Sequence, residues 1–336
     1  MLKKNKKKND ITALQNYATL TSRKNNKNRL FLMKDMMKCY KLYGCHYEEY
    51  YYNRFDLLTD KQRETYVTEE KNQLLVKEFN KQGTSFQEKK TTYYQALKND
   101  LKRDYLYLTG ENLDEFISFS EKHPVFIAKT DERKDINQIR RVVLNEHMKP
   151  DKVYESLLEK NLNLLEEELI QHPVMKELYP KALNTVEFIT IKHKGKVHIT
   201  SCVLKIGNGS IVNNVYYGGM VAGVDLKTGV VNTPGVDYRD HVYETHPSTK
   251  VKIQGFEIPD FQKLKQYVLS LALKLKQANY VSFDIALLED GFAFIDLSLH
   301  PIWYQFPPFV PDKIGKLPQI EQVLGHQIEN RVEKNN

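Results

Sequence analysis

Asp284 and Asp296 are the residues whose type and spacing most clearly suggest chemistry. Each interrupts an apolar run, at residues 280–288 and 292–299, and the two runs flank Glu289-Asp290-Gly291. A carboxylate within an apolar strand is costly to bury without a partner. The turn decides what the pair can do. A two-residue turn at Asp290-Gly291 pairs residue 284 with 297 and sends the acids to opposite faces, each simply salt-bridged. A three-residue turn at Glu289-Asp290-Gly291, with Gly291 left-handed, pairs 284 with 296 and sets both acids on one face, roughly 5 Å apart at Cβ. Carboxylates that close repel unless a cation lies between them. An all-oxygen donor set suits Mg²⁺ or Mn²⁺, above all beside a phosphate. The three-residue turn is the expectation, because the other drives one carboxylate to an apolar-packed side where the sequence offers no partner. Ser298, two residues past Asp296, then shares its face.

Two further segments carry candidate groups. Lys129 ends the apolar run Val125-Phe126-Ile127-Ala128 ahead of the polar residues 130–135. A lysine at a strand end either reaches a nucleotide phosphate as a point charge or stands in solvent. Residues 166–170, Glu-Glu-Glu-Leu-Ile, read either as a hinge offering backbone groups to adenine and a carboxylate to ribose, or as plain surface. The ten histidines form no HExxH spacing, and no GxSxG elbow, P-loop or GxGxxG is present.

These residues need elements to hold them. Residues 1–30 are polar, rich in Lys and Asn, and expected to fray at the start. Residues 30–110 read as mostly helical, with Leu32, Met33, Met36, Met37 and Tyr40 at helical spacing and Gly44 as a stop. After about residue 105 the pattern predicts a short apolar run at 105–108, a helix at 109–119, a strand at 125–129 and an amphipathic helix over 153–165. From Asn184 the period becomes two, predicting strands at 185–192, 196–206 and 211–217. Residues 261–278 form the clearest helix. The expected organisation is a helical, basic N-terminal region at 1–104, a lid subdomain at 105–165 and a C-terminal subdomain at 166–330 with the acidic hairpin.

Composition narrows the class. A chain of 336 residues with 41% apolar content supports two or three packed subdomains. No stretch approaches the roughly 18 apolar residues a spanning helix needs, so no transmembrane segment is expected. The start, MLKKNKKKND, has no apolar stretch behind its basic run and does not read as a secretory signal. Cys39, Cys45 and Cys202 lie at unrelated spacings, which suits reduced thiols and a cytoplasmic protein rather than a disulfide framework or a zinc site. The net charge of +7 is uneven: residues 1–110 carry 23 Lys and Arg against 13 Asp and Glu, the remainder 27 against 30. A basic first third can face nucleic acid or an anionic membrane, or be a solvated surface. With no nucleic-acid signature beside it, solvated surface is the expectation and no specific nucleic-acid partner is inferred.

Taken in order, these features resemble the ATP-grasp superfamily, in its sugar-transfer-associated branch, from about residue 80 to 312. The marks are Lys89, Leu101-Lys102-Arg103-Asp104, the strand ending at Lys129, Glu167-Glu168-Leu169-Ile170, Gln171-His172-Pro173 and Asn184-Thr185-Val186. They continue through Val212-Asn213-Asn214, Gly218-Gly219, Ala222 with Val224-Asp225, Thr228-Gly229, His246-Pro247 and Gly255 with Ile258-Pro259, and end at Phe283-Asp284-Ile285-Ala286 and Gly291. The resemblance implies an α+β ATP-grasp fold: an antiparallel-sheet subdomain, a small αβ lid and a helical N-terminal region. It implies ATP and Mg²⁺ (or Mn²⁺) as cofactors, and a ligase that phosphorylates a carboxylate and passes it to an amine. Small-molecule or glycan-linked carboxylates and amines of surface-polysaccharide or cell-envelope biosynthesis are the implied substrates.

Residue by residue, Lys89 and Lys129 match phosphate-holding lysines, and Glu167, Glu168, Leu169 and Ile170 match the adenine hinge. Lys205 stands where an arginine faces the transferred phosphate, and Asp284, Asp296 and Ser298 match the metal ligands. Asn184, Thr185, Asn214, Gly218, Gly219 and His246 are the matching substrate positions. Three departures stand out. Asp296-Leu297-Ser298 replaces Glu-x-Asn, Glu187 replaces an arginine, and the loop after Lys129 has no glycine. They set a non-catalytic nucleotide-binding scaffold beside the ligase as an alternative, with a basic nucleic-acid-associated protein as a third.

Overall fold

The computed structural model describes residues 2–81, 85–132 and 139–328, and its chain divides into two units, residues 1–81 with 300–336 and residues 82–299. The first unit starts with α1 (Leu2–Asn25) and α2 (Arg29–Tyr43). The polar start is helical from residue 2, because Leu14 and Ala18, four apart on one face, bury against Leu32, Met36 and Cys39 of α2. Met37 and Tyr40, which recur at the same helical spacing, are exposed; the buried stripe is Leu32, Met36, Cys39 and Tyr43. Asn28 caps α2 by accepting from the Phe31 amide at 3.1 Å, and Gly44 ends it at φ +63°, a left-handed position suited to glycine. Three short helices follow, α3 (Tyr47–Tyr52), α4 (Asp60–Glu64) and α5 (Glu69–Phe79). Arg63 is buried and binds Asp35 at 3.0 and 2.7 Å.

The second unit opens with α6 (Lys90–Ala96). It continues through β1 (Tyr105–Tyr107), α7 (Leu113–Lys122), β2 (Val125–Lys129), β3 (Ile139–Val143), α8 (Pro150–Glu159) and β4 (Leu164–Glu167). The strands form an antiparallel sheet in the order β1-β4-β2-β3. Phe116 of α7 and Tyr154 and Leu157 of α8 pack on Phe126, Ala128 and Leu165. The helix expected over 153–165 stops at Glu159. Asn161 turns left-handed at φ +55°, and Leu164 and Leu165 find ladder partners on β1 and β2.

After α9 (Pro173–Leu178) the chain builds β5 (Thr185–His193), β6 (Lys196–Ile206), β7 (Met220–Gly223), β8 (Gly235–Val236) and β9 (Val242–Tyr243). Then come α10 (Phe261–Lys274), β10 (Tyr280–Leu288) and β11 (Gly291–Ser298). The seven strands pair antiparallel in the order β11-β10-β5-β6-β7-β8-β9. The strand expected at 211–217 is absent. That segment folds back on itself, with the amides of Tyr217 and Gly219 each donating to Asn214 O at 3.0 Å, and the strand comes after the glycines as β7. A Cβ on Gly219 would stand 2.4 Å from Asn213 O, so this close approach needs glycine.

Helix α10 covers one face of this sheet, packing Phe261, Leu264, Val268 and Leu271 with Val186, Phe188, Leu204, Phe283 and Ile285. Strand alternation sends Thr185, Glu187, Lys205 and Asp284 to the other face. The closing segment, with α11 (Leu317–Leu324), belongs to the helical unit. There Gln305 spans both the amide and the carbonyl of Val67 at 3.0 Å. Among the described residues no helix is long and apolar enough to cross a membrane. Cys39, Cys45 and Cys202 are free and buried.

Candidate functional site

The hairpin brings Asp284 and Asp296 opposite one another, by a different device from the one expected. Its turn is the two residues Glu289 and Asp290, between the paired Leu288 and Gly291. The register runs regularly to Ile285 opposite Phe294, and the next pair is Asp284 with Asp296, leaving Ile295 as an extra residue. This is a β-bulge. Without it Asp284 would face Ile295, and Asp296 would pair with Phe283 on the side packed by α10, where a carboxylate has no place. The three-residue turn is therefore corrected, while the carboxylate pair stands. Ser298 pairs with Ser282 and shares the face of Asp296.

Glu187 of β5 is paired with Asp284, so three carboxylates lie in a row across β11, β10 and β5. Two lysines offset part of the row's charge. Lys205 Nζ stands 2.8 Å from Asp284 Oδ2 and 3.1 Å from Glu187 Oε2. Lys90 Nζ donates to Asp296 Oδ2 at 3.0 Å, and the Tyr93 hydroxyl donates to Asp296 Oδ1 at 2.6 Å. Lys90 and Tyr93 come from α6, where i,i+3 spacing puts them on one face. The Asp296 side chain keeps about a third of its surface, 32%, and that of Asp284 21%, so both remain reachable from solvent. Two acids on facing strands with only oxygen donors fit a hard divalent cation such as Mg²⁺.

A second cluster lies beside the first. Tyr94, next to Tyr93 on α6, donates to Glu166 of β4, and Lys129 pairs with the same carboxylate at 2.8 Å and with the Tyr94 hydroxyl at 3.0 Å. Arg103 Nη2 meets Glu166 Oε1 at 3.1 Å. Glu166, Lys129, Arg103 and Tyr94 are all buried. Burial alone would push the Glu166 carboxyl up, but Arg103 and Lys129 outweigh it and hold that carboxyl well below the usual carboxylate range. Lys129 thus ends its strand as expected, yet faces a buried counter-ion rather than open solvent.

The remaining candidates divide between surface and scaffold. Lys89 is exposed, and its neighbour Lys90 makes the contact with Asp296. In the segment expected as a hinge, Glu167 is tied to the Asp104 backbone, its carboxylate accepting from the Asp104 amide at 3.0 Å, and Glu168 binds Arg141 at 2.6 and 2.9 Å. Leu169 is half-buried, while Ile170 is 77% exposed. The Thr185 hydroxyl accepts from Asn213 Nδ2 at 2.6 Å, on the strand pair that carries Lys205. Asn214, Gly218 and Gly219 form the fold-back that carries Asn213.

Asn184 and His246 are fully buried. Asn184 donates to Gln171 Oε1, Met175 O and Tyr179 O and accepts from the Gly207 amide at 3.0 Å, while His246 Nε2 bonds Gly207 O at 2.9 Å. Both therefore brace the turn after β6 instead of presenting a polar atom to a ligand. Asn184→Ala is expected to cost about 2–4 kcal/mol, since the groups it leaves cannot reach water. Chemical denaturation would show it, and a stability within about 0.5 kcal/mol of the parent would return Asn184 to the candidate substrate contacts.

Lys90, Tyr93 and Tyr94 escaped sequence reasoning, and Glu166 was read only as part of the 166–170 segment, not as a buried counter-ion. The legible signal was Lys90-x-x-Tyr93-Tyr94, a cation and two aromatics at helical spacing. Asp104, His123 and Glu167 also bring ligand atoms within 4.8 Å of one another, but Lys122 already neutralises Asp104 there.

No curated protein sequence matches this chain. Many solved structures resemble it weakly, three of them as follows. An N5-carboxyaminoimidazole synthase from Aspergillus clavatus shows 13% identity and TM-score 0.40, with 65% of this chain and 45% of that one covered. D-alanyl-alanine synthetase A from Vibrio cholerae O1 biovar eltor shows 14% and 0.40, covering 72% and 61%. D-alanine–D-alanine ligase from Bacillus anthracis shows 11% and 0.37, covering 71% and 64%. The chain thus spans between about half and two thirds of the length of these structures. Residues 121–297, more than half of the chain, match the sugar-transfer associated ATP-grasp model, and the chain belongs to that family, with its α+β ATP-grasp fold.

Proposed function

We propose that the protein is an ATP- and Mg²⁺-dependent carboxylate–amine ligase acting through an acylphosphate, in surface-polysaccharide or related cell-envelope biosynthesis. The observation that carries this reading is the bulged hairpin, which faces Asp296 with Asp284 beside Lys90 and Lys205. The metal would be held by Asp284 and Asp296, with the Ser298 hydroxyl on the same face, and would supply charge neutralisation for phosphate oxygens. Lys90, Lys129 and Lys205 present ammonium groups to the phosphates, Lys205 nearest the transferred one. Backbone groups of residues 167–170 receive adenine. A substrate carboxylate oxygen bonds to the γ-phosphorus as the bond to ADP breaks. The amine then attacks the acyl carbon, loses a proton, and inorganic phosphate leaves. The chain contributes position and charge and no covalent nucleophile.

ATP with Mg²⁺ at about 100 times its dissociation constant is expected to add roughly 2.7 kcal/mol of stability. Lys129→Ala should remove most of that shift, each variant being compared with its own ligand-free state. No shift with any nucleotide at millimolar concentration would sink the ligase reading. One observation favours a second reading, a nucleotide-binding scaffold: Lys129 and Lys205 are already engaged by Glu166, Glu187 and Asp284. A nucleotide shift without phosphate release across a panel of carboxylates and amines would select it.

A further inference from the structure

The bulge at Ile295 raises a question that the hairpin alone does not answer. β11 is the edge strand of its sheet, so its outward backbone groups have no strand partner, and the extra residue disturbs the ladder further. At this bulge the carbonyls of Phe294 and Ile295 receive donors from outside the sheet. Arg103 Nη1 donates to Phe294 O at 2.7 Å, and its Nη2 lies 3.5 Å from Ile295 O. The Tyr94 hydroxyl adds a contact to Ile295 O at 3.3 Å. The same guanidinium binds Leu101 O at 3.0 Å and Glu166 Oε1 at 3.1 Å and stacks over the Tyr94 ring at 5.2 Å. Its side chain is 2% exposed.

We propose that Arg103 is a positioning residue for the metal-binding carboxylates: it holds the bulge that sets Asp296 opposite Asp284. A planar fork can satisfy two successive carbonyls and a carboxylate together, which a lysine ammonium on a flexible stem cannot. Arg103 also joins the strand that carries the acid to β4 and, through Glu166, to Lys129. One guanidinium thereby fixes the metal ligands relative to the phosphate lysine. The consequence for metal binding rests on the ligase reading, whereas the consequence for strand register does not.

The test uses the full chain and two readouts. The double substitution Asp284→Cys, Asp296→Cys reports register through cross-strand disulfide formation, and the native thiols, all buried, do not compete. Arg103→Lys keeps a charge for Glu166 but gives up the fork. It is expected to slow cross-linking several-fold, and in the chain with both aspartates to weaken Mn²⁺ binding by about tenfold or more, as loss of a ligand-orienting partner does elsewhere. Mn²⁺ binding is read by electron paramagnetic resonance in the presence of ADP.

Deleting Ile295 keeps Asp296 opposite Asp284 with no bulge, so this deletion in the Arg103→Lys chain should restore Mn²⁺ affinity. If Arg103→Lys does not fold, Tyr94→Phe, which removes one donor from Ile295 O, should give a smaller change of the same sign. A folded Arg103→Lys chain that cross-links and binds Mn²⁺ like the parent would overturn the proposal. If the parent binds neither nucleotide nor Mn²⁺ but cross-linking still depends on Arg103, the ligase reading falls and the register role stands.

Discussion

Asp296→Asn is expected to lower metal-dependent turnover by about two orders of magnitude or more, equivalent to roughly 3 kcal/mol of transition-state stabilisation. The carboxylate is one of two acids facing across the hairpin, and an amide brings no negative charge to a divalent cation. Stability should change little. Asp296 is partly exposed, and its partner Lys90 keeps a second contact with the Tyr93 hydroxyl at 3.3 Å, so the loss belongs with the pairs worth less than about 1 kcal/mol. Steady-state phosphate release against Mg²⁺ concentration, run beside an unfolding curve, separates the two effects. Ser298→Asn, which supplies the amide that the family resemblance implies at this position, should preserve or improve metal affinity. Turnover of Asp296→Asn within a few-fold of the parent at saturating Mg²⁺ would remove Asp296 from the proposed metal site.

Glu166→Gln is expected to be the most destabilising single change, by about 3–5 kcal/mol, because it strands Arg103 and Lys129 as buried cations without a counter-charge. Lys129→Met should cost less, since Glu166 keeps Arg103. The urea midpoint of the fluorescence transition measures both. The pH dependence follows from the depressed Glu166 carboxyl. Its stabilisation is fully present above the ordinary carboxyl value of 4.5 and is lost as pH falls through the lower folded value. The parent should thus lose stability on the acid side of about pH 4.5, and Glu166→Gln should lack that component of the slope. Equal stability of Glu166→Gln and the parent at neutral pH would mean that the buried cluster is not ionised as described.

What could be read from the chain alone were features that repeat along it or sit in one short stretch. Period-two alternation located β5 and β6 within a residue or so, and the apolar stripe of 261–278 located α10, because the packing of one face imposes the pattern directly on neighbouring residues. Two acids in apolar strands were enough to expect a shared face, since burying a lone carboxylate is too costly. The register that achieves this was not legible. A two-residue turn with a bulge and a three-residue turn without one give the same pairing at Asp284. The choice between them depends on donors from Arg103 and Tyr94, nearly 200 residues earlier in the chain. The partner of Lys129 was hidden for the same reason. Glu166 looks like one of three surface glutamates until β4 inserts between β1 and β2 and buries it against two cations. Local sequence carries propensity and pattern, which act between near neighbours. Ion pairs and bulge contacts form between residues that only the tertiary fold brings together, and there the structure alone decides.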